Sequence, residues 1–330
     1  MRNPALTCAL ALAASTAGTV SPGAGNMRAA VIVDGGVQIQ RLPKPEPQAG
    51  EVRIRVRDAS VNPTDWKRAD HSGPGSHGTP GRDLSGVIDA VGPAGGQPGG
   101  TTSQWKVGDA VIAIAPGGSY AEYAIAPVTA IAAKPMRMSF EEAAGIGVVG
   151  ETAWRAIVTV ANVRAGQRVL IHGGAGGVGS SAVQIAKARG AYVIATASPS
   201  HNSYLRALGA DEILDYNTVR FEDKVKGVDV VLNTVEPDLT VRSLAVMKPG
   251  GILVSVVGPP PAAQCEAANV RCGVTGSATG EMLHFVSDLA SQGKFHIHID
   301  QQLPLADAAK AWGMNRKGHT AGKIILIVSR

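Results

Sequence analysis

The residues best equipped for chemistry stand in one run, VLIHGGAGGVGSSAVQIAK, residues 169–187. Within it Gly174, Gly176 and Gly179 satisfy the spacing GxGxxG, directly after the apolar RVLIH and directly before the helix-like SSAVQIAKARG. That order, strand then glycines then helix, lifts the match above a chance run of glycines. Gly173, Gly174, Gly176 and Gly177 permit a tight turn and close backbone approach to a pyrophosphate, and Gly179 lets helix and strand pack closely. With Ala175 and Val178 they lead into a helix N-terminus whose unpaired N–H groups favour phosphate. The expected ligand is a dinucleotide.

The next apolar run, YVIATA, ends in Ser198-Pro199-Ser200-His201-Asn202. An NAD-type fold places an acidic residue there, on the ribose 2′-hydroxyl. No carboxylate stands in this turn, whereas Ser198, Asn202 and the nearby Arg206 offer hydroxyl, amide and cation to a 2′-phosphate. The expected cofactor is therefore NADPH. No Lys or Arg occupies the turn itself, and the same residues also suit a polar loop that caps the next helix.

These residues need a scaffold, and the pattern along the chain describes one. From Met27 the runs RAAVIV, VQIQRL and EVRIRVRDASV, then SGVIDAV, DAVIAIA and AEYAIAP, are alternating or β-branched and bounded by Gly and Pro, which predicts a compact, mostly antiparallel β domain. The glycine-rich GPAGGQPGGTTSQ at 92–104 reads as a mobile surface loop. At Ser139 and Glu142 a capping box opens a helical period. From 167 to 257 strand-like and helix-like runs alternate, which implies βαβ crossovers and a parallel sheet. The tail from 296 returns to strand, helix and strand. The expected class is α/β, with a segment at 1–26, a β-rich domain at 27–145, a doubly wound cofactor domain at 146–290 and a return to the first domain at 291–330.

A length of 330 residues suits two domains, and 45% hydrophobic with 17% charged residues describes an ordinary globular interior. The net charge of +5 comes without a basic run, which argues against a nucleic-acid partner. The three cysteines, Cys8, Cys265 and Cys272, form no CxxC pair, so neither a disulfide framework nor a thiolate zinc cluster is expected, and the chain reads as reduced and cytoplasmic. The opening MRNPALTCALALAASTAGTVSPGAGNM pulls the other way. Arg2, the apolar run from Ala5 to Ala14 and the small residues near Ala17 resemble a secretory signal, which would make the protein exported. The alternative, preferred here, is a disordered or over-extended start before the strand at Met27. The run is too short to span a bilayer, and no membrane association is expected.

HGGAGGVGSSAVQIAK, ASVNPTDWK, PGRDLSGVIDAVG, LGADEILDY, MKPGGILVSVVG and GKIILIV together resemble, in order, the zinc-independent quinone oxidoreductase and enoyl reductase branch of the medium-chain dehydrogenase/reductase superfamily. The resemblance runs from Met27 almost to the last residue. It implies a GroES-like β domain built from both chain ends around a Rossmann domain, an active site in the cleft between them, and a homodimer paired through Rossmann edge strands. The superfamily's zinc alcohol dehydrogenases have a ligand Cys where this chain has Asn62 and a ligand His where it has Arg82, and neither residue is a zinc donor. The implied reaction is hydride transfer from NADPH to a small-molecule quinone or α,β-unsaturated carbonyl, which delocalises the incoming charge itself.

By position, the resemblance puts Asn62, Asp65 and Lys67 on the cleft floor, with Lys67 as the cation for a developing oxyanion. The plain alternative is a solvated Lys67 with Asp65 as its partner. Ser198 and Tyr216 resemble positions that hold the adenosine 2′-phosphate, Thr152 and Gly258 resemble contacts to the nicotinamide, and Lys323 resembles a C-terminal contact in the cleft. Structural roles stay open for these: Tyr216 packing, Thr152 capping a helix, Gly258 turning the chain. Glu151 stands where an apolar residue is more usual and is read as a salt-bridged helix residue rather than a catalytic acid. His296 and His298 share a strand face, but two imidazoles fall short of the donor set zinc uses, so they are expected to be exposed and metal-free. Two other functions remain open: an NADPH-binding redox sensor or structural protein without turnover, and a metal-dependent alcohol dehydrogenase with unorthodox ligands.

Overall fold

The computed structural model describes residues 25–71, 78–93, 104–318 and 320–330. The signal-like opening and most of the glycine-rich run at 92–104 lie outside the described residues. Strands β1 (Asn26–Val33) and β2 (Gly36–Pro43) form a hairpin closed by Asp34 and Gly35, both at positive φ (49° and 74°). Asp-Gly is the pair that a two-residue turn of this hand favours. Next come β3 (Glu51–Ser60), α1 (Pro63–Asp70), β4 (Asp83–Val91), β5 (Ala110–Ile114), β6 (Tyr123–Pro127) and β7 (Ile131–Ala133).

The capping box then forms: Ser139 Oγ accepts from Glu142 N at 3.1 Å, and Glu142 Oε2 from Ser139 N at 2.9 Å. It opens α2 (Phe140–Ala144), followed by α3 (Gly147–Trp154), which runs on into a π-helical turn at Arg155–Val160. The alternating stretch is β8 (Arg168–His172), α4 (Gly177–Ala188), β9 (Tyr192–Ala197), α5 (Asn202–Ala207), β10 (Glu212–Asp215), α6 (Phe221–Lys224), β11 (Val228–Asn233), α7 (Pro237–Ser243) and β12 (Met247–Ser255). The remainder is α8 (Ala262–Ala267), β13 (Arg271–Val274), α9 (Leu283–Ser291), β14 (Ile299–Pro304), α10 (Ala308–Lys317) and β15 (Lys323–Ile327).

Six of these strands form a parallel sheet in the order β10-β9-β8-β11-β12-β13. The order reverses at β8, and in such sheets the ligand crevice lies beyond the strand ends at that reversal. Helices cover both faces, so β8 and β11 are buried on both sides and read as the unbroken apolar runs VLI and VVL. The second sheet runs β14-β15-β3-β4-β5-β7, with β6 also on β3. Its last strand comes from the end of the chain: Ile325, Leu326 and Ile327 of β15 pair antiparallel with Ser60, Ala59 and Asp58 of β3. The two sheets share a core, in which Ile112, Ile114 and Met138 join one cluster with Val149, Ala153 and Leu283. This is the expected mixed α/β architecture, a GroES-like β-rich sheet beside a Rossmann-type parallel sheet.

One expectation fails. Cys265 and Cys272 form a disulfide, with Cα atoms 6.2 Å apart. Parity and spacing cannot foresee it, because the pairing depends on α8 turning straight back into edge strand β13. The reduced-chain reading, and the cytoplasmic placement drawn from it, lose that premise. His296 and His298 are exposed and lie just before β14 rather than within a strand, with the His298 ring 4.9 Å from that of Tyr204. Among the described residues, no helix is long and apolar enough to cross a membrane.

Candidate active site

The glycine loop takes the shape its sequence demands. Gly173 leaves β8 at φ +72°, and a Cβ there would lie 2.6 Å from Thr234 Oγ1. A Cβ on Gly179 would lie 2.1 Å from the Gly173 carbonyl oxygen, so the first turn of α4 touches the loop backbone and only glycine fits. Thr196 at the end of β9 ties the loop from the side: its hydroxyl accepts from Gly173 N at 3.2 Å and its carbonyl from Gly174 N at 2.9 Å. Below it, His172 is buried, with Nε2 2.9 Å from Ser243 Oγ and its ring edge-on to Phe221. Burial holds its pKa down to about 4, so the residue under the loop is neutral at pH 7. The loop and helix N-terminus thus form the cradle that a dinucleotide pyrophosphate requires, and the chain's own residues fit such a cofactor.

The far side of the loop meets the other sheet. Gly322 N donates to the Ala175 carbonyl at 2.9 Å, and Gly176 and Gly322 form a parallel bridge. Gly322 is at φ +71°, and a Cβ there would lie 2.1 Å from the His298 carbonyl oxygen. The next residue, Lys323, is 3% exposed and sends its side chain past Gly177, where an added Cβ would come 3.2 Å from Lys323 Cδ. Its ammonium donates to the Val61 carbonyl at 2.9 Å and to Asn62 Oδ1 at 2.7 Å. The chain end therefore carries a buried cation from the glycine loop to the start of α1.

Asn62 is the hub of a polar network. Its Nδ2 donates to Asp83 Oδ2 at 2.9 Å, and Ser60 Oγ donates to the same oxygen at 3.1 Å. Asp83 Oδ1 accepts from Val148 N at 2.8 Å in the first turn of α3. Gly147 leaves room for this, since its Cβ would lie 2.3 Å from Asp83 Oδ1. Asp65 Oδ2 accepts from Asn62 N and from the Tyr120 hydroxyl, both at 2.9 Å, while Asp65 Oδ1 is buried without a partner. Desolvation outweighs those two bonds and pushes the Asp65 carboxyl up to about 7, with Asp83 adding to the rise and Lys323 opposing it. Burial likewise lowers the Lys323 pKa, against the pull of Asp83 and Asp65.

Of the residues singled out in the sequence, the structure brings Gly173, Gly174, Ala175, Gly176, Gly177, Val178 and Gly179 together with Lys323, Asn62 and Asp65. Thr152 is buried in α3, the helix whose first turn Asp83 holds. Gly258 follows β12 at φ +147° with open space where a Cβ would stand. Ser198 Oγ lies 3.0 Å from Ser200 Oγ, and Asn202 Oδ1 is buried without a partner. Tyr216 is 55% exposed. Lys67 stands apart from the network: it is exposed, with its ammonium 5.5 Å from the Trp66 ring centroid. Glu151 is fully buried and accepts from Thr279 N at 2.9 Å and Gly280 N at 2.5 Å, with Arg155 Nη1 at 3.9 Å. That is a helix carboxylate anchoring a loop. Sequence reasoning missed Asp83, Ser60 and Tyr120; the available signal was the lone carboxylate of PGRD standing directly before the apolar strand.

The donor set suits no zinc ion at the positions where the superfamily's zinc enzymes have Cys and His. Both ends of the Asn62 amide are already bonded, and Arg82 is a cation whose Nη2 donates to the Ala278 carbonyl at 2.7 Å. Among the described residues no group of three or more His, Cys, Asp or Glu is arranged to hold a metal.

Comparison with known proteins agrees with this architecture. Residues 48–136 match the alcohol dehydrogenase GroES-like domain family, and residues 208–326 match a family described as zinc-binding dehydrogenase. The quinone oxidoreductase of Pongo abelii is 31% identical, over 92% of this chain and 98% of its own. The structure of the quinone oxidoreductase from Coxiella burnetii superposes with a TM-score of 0.83 at 31% identity, covering 92% of this chain and 100% of that one. A mycobacterial protein solved in complex with NADPH superposes with a TM-score of 0.79 at 27% identity, covering 91% and 99%.

Proposed function

This chain belongs to the medium-chain dehydrogenase/reductase superfamily as a quinone oxidoreductase-like protein, and on that premise we propose that it is an NADPH-dependent, zinc-independent reductase of quinones or α,β-unsaturated carbonyls. The observation that carries the reading is the buried bridge from Gly177 through Lys323 to Asn62, which joins the cofactor loop to the place where a metal would otherwise sit. Bound NADPH would supply the hydride.

The chain's own part is binding and orientation. Gly173 to Val178 and the α4 N-terminus would hold the pyrophosphate, with His172 buried and neutral beneath them. Ser198 and the unpaired Asn202 amide oxygen line the turn after β9, where no carboxylate repels a 2′-phosphate. Asp215 at the end of β10, the register partner of Ala197, is turned into its own loop by Asn217 and Thr218. Thr152 and Gly258 would contact the nicotinamide side, as the resemblance implies. Asn62 is locked in one amide orientation by Lys323 and Asp83, and Asp65 fixes the α1 start that carries it. Asn62 and Arg82, an amide and a cation, stand where a catalytic zinc would need thiolate and imidazole, which favours reduction of an acceptor that spreads the incoming charge itself.

The test is NADPH oxidation with a simple naphthoquinone and a linear enone, alongside NADH controls and a chelator. The expected result is turnover with NADPH that chelation leaves unchanged. Binding NADH about tenfold more tightly than NADPH would overturn the cofactor assignment. Silence on both acceptors despite saturable NADPH binding would overturn the reaction class.

A further inference from the structure

Arg82 is a cation that the network around Asn62 leaves unused. It immediately precedes Asp83, is half-buried, and offers the five N–H donors of a guanidinium. Nη2 donates to the Ala278 carbonyl at 2.7 Å, and Nε makes a long contact of 3.4 Å to the Ala115 carbonyl. Among the described residues no carboxylate comes within the 4.0 Å of an ion pair. A partly desolvated guanidinium held only by neutral carbonyls retains most of its attraction for an anion.

Its position is fixed from both sheets. Ala115 follows β5. Ala278 belongs to the segment between β13 and α9, which Glu151 grips through Thr279 N and Gly280 N and which Arg155 grips through the Thr275 carbonyl at 2.9 Å. Gly280, at φ +98°, lies so close to Ala130 that a Cβ would stand 2.4 Å from the Ala130 Cβ. One residue along, Asp83 bonds Asn62 and the start of α3, whose Val149 packs against the glycine helix at Gly177. A charge-bearing donor is thus held next in sequence to Asp83, which bonds the Asn62 end of the bridge to the cofactor loop.

We propose that Arg82 binds the carbonyl oxygen of the acceptor and stabilises the negative charge that gathers there during reduction, so that a guanidinium fills the electrophilic role. The proposal rests on the reductase reading above. In an enone, hydride brings two electrons and forms a C–H bond at the β carbon; the C=C π pair becomes the Cα–C π bond of an enolate, and the C=O π pair goes to oxygen. Arg82 keeps its protons, and water supplies the one that completes the saturated ketone. The role falls to Arg82 rather than Lys67, whose exposed ammonium lies 5.5 Å from the Trp66 ring centroid.

The test compares wild type with Arg82→Gln and Arg82→Lys through three readouts: NADPH affinity, kcat against KM for the linear enone, and binding of 4-nitrophenolate as an oxyanion probe that needs no turnover. We expect Arg82→Gln to bind NADPH within about twofold of wild type, to lose roughly 100-fold in kcat, and to bind the phenolate at least about tenfold more weakly. Arg82→Lys should recover part of both losses. An Arg82→Gln protein with wild-type kcat and phenolate affinity overturns the proposal, as does loss of NADPH affinity in parallel with kcat in both variants, the mark of a structural role. Wild-type protein that turns over neither acceptor brings down the reductase reading and this proposal together, an outcome distinct from active wild type with an unaffected variant.

Discussion

Replacing Asp65 with Asn tests the electrostatics of the site through stability alone. The Asp65 carboxyl is raised from its ordinary 3.8 to about 7 because burial of the charged form outweighs the bonds from Asn62 N and Tyr120 Oη. A carboxyl that is harder to ionise in the fold than in the unfolded chain gives stability that is full below about pH 4. That stability is lost as the pH rises and gone above about pH 7. A span of about three pKa units corresponds to about 4 kcal/mol. Asn cannot ionise, so the variant lacks this loss. Its amide oxygen can take over the two bonds, while its NH2 faces the place where Oδ1 has no partner. Unpaired buried donors cost roughly 1–3 kcal/mol, and protonated Asp65 already leaves one there, which puts the difference near the low end, about 1 kcal/mol. The stability curves should therefore cross: Asp65→Asn about 1 kcal/mol less stable at pH 4 and about 3 kcal/mol more stable at pH 8, read by urea unfolding at both. A difference that stays constant to within about 0.5 kcal/mol across that range would refute the claim that desolvation governs Asp65.

Gly179→Ala forces a Cβ toward the Gly173 carbonyl, and we expect a cost of at least about 1–3 kcal/mol with loss of most NADPH affinity; titration of cofactor fluorescence checks it, and unchanged affinity refutes the close-approach argument. His172, lowered to about 4 from 6.5 chiefly by burial, stabilises the fold above about pH 6.5 and loses that contribution as the pH falls through about 4, a span of about 3 kcal/mol. His172→Gln should flatten the acid limb of the stability profile, and an unaltered limb would exclude the residue as its source. Opening the Cys265–Cys272 loop, with its sequence separation of seven, by a double Ser substitution should lower stability by about 2.5 kcal/mol on the chain-entropy account. Denaturation with and without reductant measures it: reductant should destabilise wild type only.

The cofactor half of the molecule was legible because its signals are local. A βα turn that must touch a pyrophosphate needs glycine at fixed offsets, a parallel strand buried on both faces needs an unbroken apolar run, and the Ser139–Glu142 box is complete within four residues. The acceptor half is assembled from distant segments. Asn62 carries no mark of being a hub, because its partners Lys323 and Asp83 lie 261 and 21 residues away. The resemblance puts Lys67 on the cleft floor; in the structure its side chain is exposed, with the ammonium 5.5 Å from the Trp66 ring centroid. Spacing likewise could not pair Cys265 with Cys272, since only the reversal from α8 into β13 brings them together.

By itself the sequence determined the alternation of elements, the glycine loop, the absence of zinc donors at Asn62 and Arg82, and with these the family. Tertiary structure decided which charges are buried, what opposes them, and where they point. It set β15 beside β3, which carries Lys323 to Asn62, and it left Asp65 without a partner for one oxygen and Arg82 without a counter-charge among the described residues. The division follows from range: local patterns record what one strand or helix must bury, whereas protonation state and charge compensation depend on desolvation by segments far apart in the chain.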